Sequence, residues 1–510
     1  MRKLIVLTSN EYIRNYFESK AFSLVNDDDC YYCALESVTY REPLEKIKNF
    51  IGYFCLDPKM IKKNTFMFNV LMLRYQKRSI TFRFRFKRQV LDLKNILSVR
   101  LQELPDESNF VKLIKKIIPG NIVNYFRFYF YSPAAAKIYI EIAWNYFCIY
   151  FMGRPILDRI SQYIFEKTTS PSPSLEGIVR QYQPQLVMLP TQAIDTVGND
   201  ILRLKNKYNF KTFFLIDNWD NLSSKSVFMY PPDYLGVWGQ QSVEHAEIIH
   251  KIKNNRVFCL GTPRFEKYYE LKKSLINGIV PTSPYLFPYI LFVGCSIAFD
   301  ETTALHILDD SLKRLNQGRN QIIRIIYRPH PWRATRKNEE VFYNENFNFV
   351  QLDEQMKNNY YAPKGDGFQP NLDYYPSLLA NALIVVGPLT TMLLEASLLK
   401  KKVLALAYDD GIHFTSPNNA LKYYKHFEGI EKIPGFYFST LKENLKDDLL
   451  NLIQEVELPL NQRLHDSAIQ YFLFQDHRAY PERLYDALCV VKREQFIGSY
   501  PSPEALHSST

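Results

Sequence analysis

The sequence has no clean run of about 20 apolar residues, the length a helix needs to cross a bilayer. No transmembrane helix is therefore expected. The nearest approach, Ile138 to Met152, is short and carries Glu141, and it reads as a buried or interfacial helix. Cysteine is sparse and odd in number, seven in 510 residues without dense spacing. This excludes a disulfide-stapled scaffold and fits reduced thiols in a cytoplasmic protein. The one Cys-x-x-Cys pair, Cys30 and Cys33, has no second pair and no nearby histidine, so it reads as two structural thiols rather than a zinc centre. No Asp-x-Asp metal signature stands out, and no short-period repeat is present. The first apolar run, Leu4 to Leu7, is too short for a signal peptide and reads as a β-strand. Acidic residues are missing from one segment. Lys59 to Arg88 holds ten Lys and Arg and no Asp or Glu, with Phe and Met interleaved. Such a face suits an anionic lipid surface or polymer, or is an ordinary basic surface. No recognisable nucleic-acid module accompanies it, so no nucleic-acid partner is expected.

With 46% hydrophobic and 23% charged residues the chain is globular. At about 150 residues per domain its length allows two to four domain-sized units. Phe and Tyr number 36 each, and such side chains build both cores and membrane-interface belts.

Strand and helix signals alternate. After the first strand and a helix from about Glu11 to Ala21, a basic, aromatic stretch of about residues 30–165 reads as an insertion. From Leu175 the rhythm is α/β, with strands at Gln185 to Leu189, Lys211 to Ile216, Tyr234 to Trp238 and Arg256 to Leu260. Residues 278–288 hold three prolines and one glycine and read as a linker. A second alternation follows, with strands at Tyr289 to Val293, Gln321 to Tyr327, Leu383 to Val386 and Val403 to Ala407. Continuous apolar strands between helices predict parallel sheets covered on both faces. The expected organisation is α/β with two doubly wound Rossmann-type domains, 1–280 and 285–475. A helix over 476–497 is expected to cross back to the first domain, and 498–510 is a tail.

In such sheets ligands bind beyond the C-terminal strand ends, which selects four loops of the second domain. Gly294-Cys295-Ser296 allows close backbone approach to a ligand. In Arg328-Pro329-His330-Pro331-Trp332-Arg333 the two prolines hold His330 rigidly. His330 is then placed to bond a phosphate or ribose, and Arg328 and Arg333 to neutralise a diphosphate. Gly387-Pro388-Leu389-Thr390-Thr391 runs into a helix start whose free N–H groups and hydroxyls suit phosphate. Glu395, about one turn further, is placed to accept ribose hydroxyls. Asp410, in Asp409-Asp410-Gly411, is a candidate for binding sugar hydroxyls, for catalysis or for forming a turn. In the first domain Asp217-Asn218-Trp219-Asp220-Asn221 follows a strand, and Asp217 or Asp220 is a candidate general base. Glu11 is a second candidate. Glu244 and His245 lie on a helix and read as structural.

Arg328-Pro329-His330-Pro331 followed by Gly387-Pro388-Leu389-Thr390-Thr391 and Glu395-Ala396 resembles the donor half of bacterial surface-carbohydrate enzymes of the GT-B fold. These include capsule and lipopolysaccharide glycosyltransferases, the bacterial sialyltransferases with His-Pro and Ser/Thr motifs, and CDP-glycerol glycerophosphotransferases. The non-hydrolysing UDP-N-acetylglucosamine epimerases share the architecture. Gly261-Thr262-Pro263-Arg264-Phe265 resembles a segment that often closes the first domain there. The resemblance covers roughly residues 180–490. It implies a catalytic or donor-contacting His330, phosphate contacts from Thr390 and Thr391, and ribose contacts from Glu395. The acid-acid-Gly base motif of the sialyltransferases has no clear counterpart in the first domain. A CMP- or UDP-linked donor, no other cofactor and no metal are implied. The resulting expectation is a glycosyltransferase acting on a saccharide or lipid-linked acceptor in surface-polysaccharide synthesis. It would be cytoplasmic, with peripheral attachment to the inner membrane face through Lys59 to Arg88. A CDP-linked polyol-phosphate transferase, an epimerase and a catalytically inert nucleotide-binding partner remain open.

Overall fold

The strands form where short runs are apolar throughout. In β1 (Lys3–Leu7), β4 (Leu186–Thr191) and β8 (Tyr289–Val293) every residue is buried, as a strand covered on both faces requires. The computed structural model describes residues 1–57, 79–102, 106–147, 155–193, 195–225, 227–330, 346–356 and 372–497. Arg333, residues 59–78 of the basic segment and the tail from 498 lie outside the described residues.

β1 and β4 join β2 (Cys30–Leu35), β3 (Phe50–Phe54), β5 (Lys211–Ile216), β6 (Tyr234–Val237) and β7 (Val257–Cys259) in one seven-stranded sheet, ordered β3-β2-β1-β4-β5-β6-β7. Every pairing in it is parallel. β8 joins β9 (Arg324–Arg328), β10 (Val350–Leu352), β11 (Val385–Pro388), β12 (Val403–Leu406) and β13 (Phe436–Ser439) in a six-stranded parallel sheet, ordered β10-β9-β8-β11-β12-β13. Both orders reverse direction beside the first strand of the sheet. They therefore have switch points at β1/β4 and β8/β11, where doubly wound sheets open a ligand crevice. The fold is α/β and GT-B-like, with two Rossmann-type sheets.

The insertion begins later than about residue 30. β2 and β3 are strands of the first sheet, and the separate helical unit spans 57–170. It consists of helices Ile80–Gln102, Asn109–Ile114, Gly120–Tyr131, Pro133–Phe147 and Pro155–Thr168. Its small core gathers Leu97, Phe128, Ala135 and Ala136.

One hydrophobic cluster runs across both sheets. It joins Trp219, Trp238, Phe265 and Tyr268 to Leu291, Leu378, Leu393 and Phe472. Burying a large apolar side chain contributes roughly 1.5–3 kcal/mol, so this seam holds the two halves firmly. After helix Gln462–Phe472 the chain crosses to the first sheet, where Phe474 N–H donates to the Trp238 carbonyl at 2.7 Å. Gly239 and Gly261 make the crossing possible. A Cβ on either would lie 2.4 Å from the Phe472 carbonyl oxygen or 2.5 Å from that of Phe474. Helix Tyr480–Ile497 then packs Tyr480, Leu484, Leu488 and Val491 against Ile5, Leu7, Met188 and Phe213.

Candidate active site

Asp217 follows β5 and is 2% exposed. One carboxylate oxygen accepts from Asn15 Nδ2 at 3.0 Å, and the other is buried with no partner. Burial, then the neighbouring Glu11 carboxylate, pushes its pKa up from 3.8 to about 7, with Arg264 and Arg14 opposing. Asn15 also accepts from Arg14 Nη2 at 2.8 Å, so Arg14, Asn15 and Asp217 form a chain of hydrogen bonds. Burial, then the nearby Arg264, lowers the pKa of Arg14 from its ordinary value. Glu11 accepts from Gln192 Nε2 at 3.2 Å. Ala193, next along from β4, holds a left-handed φ of 64°. Glu11, Arg14 and Asn15 follow β1, while Gln192 and Ala193 follow β4, so this group sits at the first sheet's switch point.

Asp220 is placed differently. It accepts from Ser224 Oγ at 2.7 Å and Asn221 Nδ2 at 3.1 Å, and pairs with Lys225 at 3.7 Å. It therefore organises the π-helical turn Asn221–Lys225. The structure thus separates two acids that the sequence left equivalent.

The second sheet approaches through several hydrogen bonds. Trp219 Nε1 donates to Thr391 Oγ1 at 3.2 Å. Arg264 Nη2 donates to Glu395 Oε1 at 3.2 Å, and Tyr268 donates to the other oxygen of Glu395. The Arg264 guanidinium lies 5.1 Å from the Trp238 ring centroid and 4.8 Å from that of Phe265, and its Nε is buried without a partner. Thr390 is the extended N-cap of helix Thr391–Leu398, and its side chain makes no capping bond. Arg328 is buried at the end of β9, where Nη2 donates to the Tyr375 hydroxyl at 2.7 Å and the guanidinium stacks on that ring at 4.8 Å. Tyr375 also acts electrostatically on Arg14. Arg14 and Arg264 act on each other beside Asp217, and Arg328 closes β9, so three arginines lie after C-terminal strand ends. That is a setting for a diphosphate.

The remaining candidates are distributed around this centre. Gly294 and Gly387 are packing positions. A Cβ at Gly294 would lie 2.9 Å from both His330 N and Glu301 Oε2, and one at Gly387 would lie 2.2 Å from the Val293 carbonyl oxygen. His330 is half-buried beside that turn, and Ser296 is exposed. Asp410 accepts from the Asp300 N–H at 3.0 Å and lies 2.7 Å from His413 Nδ1, which fixes the loop after β12. His245 is buried, and burial, then His426, lowers it to about 3. Glu244 accepts from the Tyr471 hydroxyl at 2.9 Å. Cys30 and Cys33 pack in cores on opposite faces of the first sheet, so they cannot share a ligand.

Sequence reasoning missed Arg14, Asn15 and Tyr268 as members of this centre. Arg264 lay within the Gly261 to Phe265 segment, and its position just after β7 was the available signal.

No protein-family model matches the chain, and no curated protein matches it. Among solved structures it is similar to a putative UDP-N-acetylglucosamine 2-epimerase from Listeria monocytogenes, with 11% identity, 96% of each chain covered and a TM-score of 0.43. It is also similar to the UDP-GlcNAc 2-epimerase from Methanocaldococcus jannaschii, with 9% identity over 96% of this chain and 99% of that chain and a TM-score of 0.44. The wall teichoic acid polymerase TagF is similar at 14% identity over 66% of this chain and 86% of that chain, with a TM-score of 0.35.

Proposed function

We propose that the protein is a glycosyltransferase that moves a sugar from a nucleotide-activated donor to a saccharide or lipid-linked acceptor of a bacterial surface polysaccharide. The observation that carries this reading is Asp217. It is a buried carboxyl with one unpartnered oxygen and a pKa near 7, set beside Arg14 and Arg264. A base with that value accepts a proton from an acceptor hydroxyl near neutral pH. The arginines and the N–H groups at the Thr391 helix start would stabilise the departing diphosphate. His330 and Thr390 are placed on the donor side of this scheme, and Glu395 is its ribose ligand once released from Arg264 and Tyr268.

The test is thermal-shift screening against CMP, CDP, UDP, GDP and dTDP, followed by transfer from the matching nucleotide sugar with wild type and Asp217→Asn. One nucleotide should raise the melting temperature of both proteins, and only wild type should turn over. The absence of any shift overturns the reading. Transfer of a phosphate-bearing group would identify a polyol-phosphate transferase instead.

A further inference from the structure

We infer that the helical unit 57–170 docks on an anionic membrane surface through an apolar groove between helices Gly120–Tyr131 and Pro133–Phe147. The groove encloses about 510 Å³ and is lined by Ile122, Tyr125, Tyr139, Ile140, Trp144 and Phe147. Trp144 and Phe147 stack with ring centroids 5.7 Å apart, yet they remain 40% and 45% exposed. Leu113, Ile117, Ile118, Phe126 and Tyr129 add to the exposed apolar surface just before and along the first of these helices. So much aliphatic and aromatic surface left in water marks a binding face.

Charge selects the occupant. Residues 57–170 hold 20 Lys and Arg against 8 Asp and Glu, a net charge of +12, whereas the rest of the chain sums to −2. The whole positive excess of the protein therefore sits in the unit that carries the groove. Lys112 and Lys116 are exposed immediately before Ile117 and Ile118. Glu107 is paired with Lys115 and Arg127, which leaves Glu141, exposed beside Ile140, as the acid on the groove helices. Tyr and Trp at headgroup depth, aliphatic side chains among the acyl chains and lysines on anionic headgroups together describe an interfacial anchor. No helix among the described residues is long and apolar enough to cross a membrane.

The purified full chain should sediment with sucrose-loaded vesicles of phosphatidylcholine mixed with phosphatidylglycerol. It should do so far less with phosphatidylcholine alone, and high salt should weaken the binding. Lys112→Gln and Lys116→Gln should each weaken partitioning about fivefold. Phe126→Glu with Trp144→Glu should abolish it while the circular dichroism spectrum is kept, since both side chains are exposed. Acyl-brominated phosphatidylglycerol should quench tryptophan fluorescence in wild type and not in Trp144→Phe. Absence of sedimentation with anionic vesicles overturns the proposal. So does sedimentation unaffected by the Phe126 and Trp144 double variant. Without vesicle binding, self-association lost in that variant, or a salt-sensitive shift with RNA, would assign the face to a second copy or to nucleic acid.

Discussion

The protonation of Asp217 is linked to folding, because its folded value of about 7 stands above the ordinary 3.8. Between about pH 4 and pH 7 the folded protein holds a proton that the unfolded chain has released. The stability this group supplies is complete below pH 4 and is lost as pH rises through 7. Asp217→Asn is therefore expected to raise stability at pH 8 by on the order of 2 kcal/mol and to leave it near wild type at pH 4, read by urea denaturation. Activity should run the other way. Wild-type transfer should fall about tenfold per pH unit below 7, and the variant should lose it at every pH. Asp220→Ala should instead cost about 1 kcal/mol by unsatisfying its turn, with the pH profile of the remaining activity unchanged. The sequence offered these two acids, with Glu11 as a second candidate, and could not choose among them. The choice depends on which side chain the turn aims inward, a property of φ and ψ rather than of residue type.

At the scale of elements, the strands with continuous apolar runs were legible: β1, β5, β8 and β12 lie where the pattern placed them, while β4 runs on through Pro190 to Thr191 and β11 is shifted two residues on, to Val385–Pro388. β2 and β3 were not. Their sequences, Cys30–Leu35 and Phe50–Phe54, share the aromatic composition of the stretch that follows them, so no shift marks where the sheet ends and the helical unit begins. Sheet pairing supplies that information, and it is non-local. Regular helix spacing also failed at the site. The helix expected from Glu11 is a short α-turn, Asn10–Ile13, running into a π-turn, Arg14–Glu18. A second π-turn, Asn221–Lys225, follows Asp217. Such turns change which face a side chain occupies, and they flank the candidate base on both sides. Two backbone substitutions test the switch points. Gly387→Ala drives a Cβ against the Val293 carbonyl and should cost about 1–3 kcal/mol, with nucleotide binding lost in parallel because β11 positions Thr390 and Thr391. Ala193→Gly relieves a left-handed alanine and should stabilise by about 1 kcal/mol in thermal melts.

For the whole molecule, the informative contact is the one that ties the halves together at the site. Glu395, placed by the sequence as a ribose ligand, has its carboxylate bonded to Arg264 and Tyr268 of the first half. Each oxygen already accepts one bond and the residue is only 7% exposed, so a ribose would reach Glu395 by displacing Arg264 and Tyr268. The cost of breaking those bonds is subtracted from the affinity. Tyr268→Phe removes one bond and keeps the ring in its apolar seam beside Phe265. A hydrogen bond to a charged group contributes about 1.5–3 kcal/mol. The variant should therefore melt at lower temperature without nucleotide, yet bind the preferred nucleotide about tenfold more tightly in calorimetry. Glu395→Gln should weaken binding in either background, because it removes the acceptor itself. If Tyr268→Phe lowers stability and leaves affinity unchanged, Glu395 serves only to hold the two sheets together, and the ribose contact must come from elsewhere along the edge formed by β8, β9 and β11.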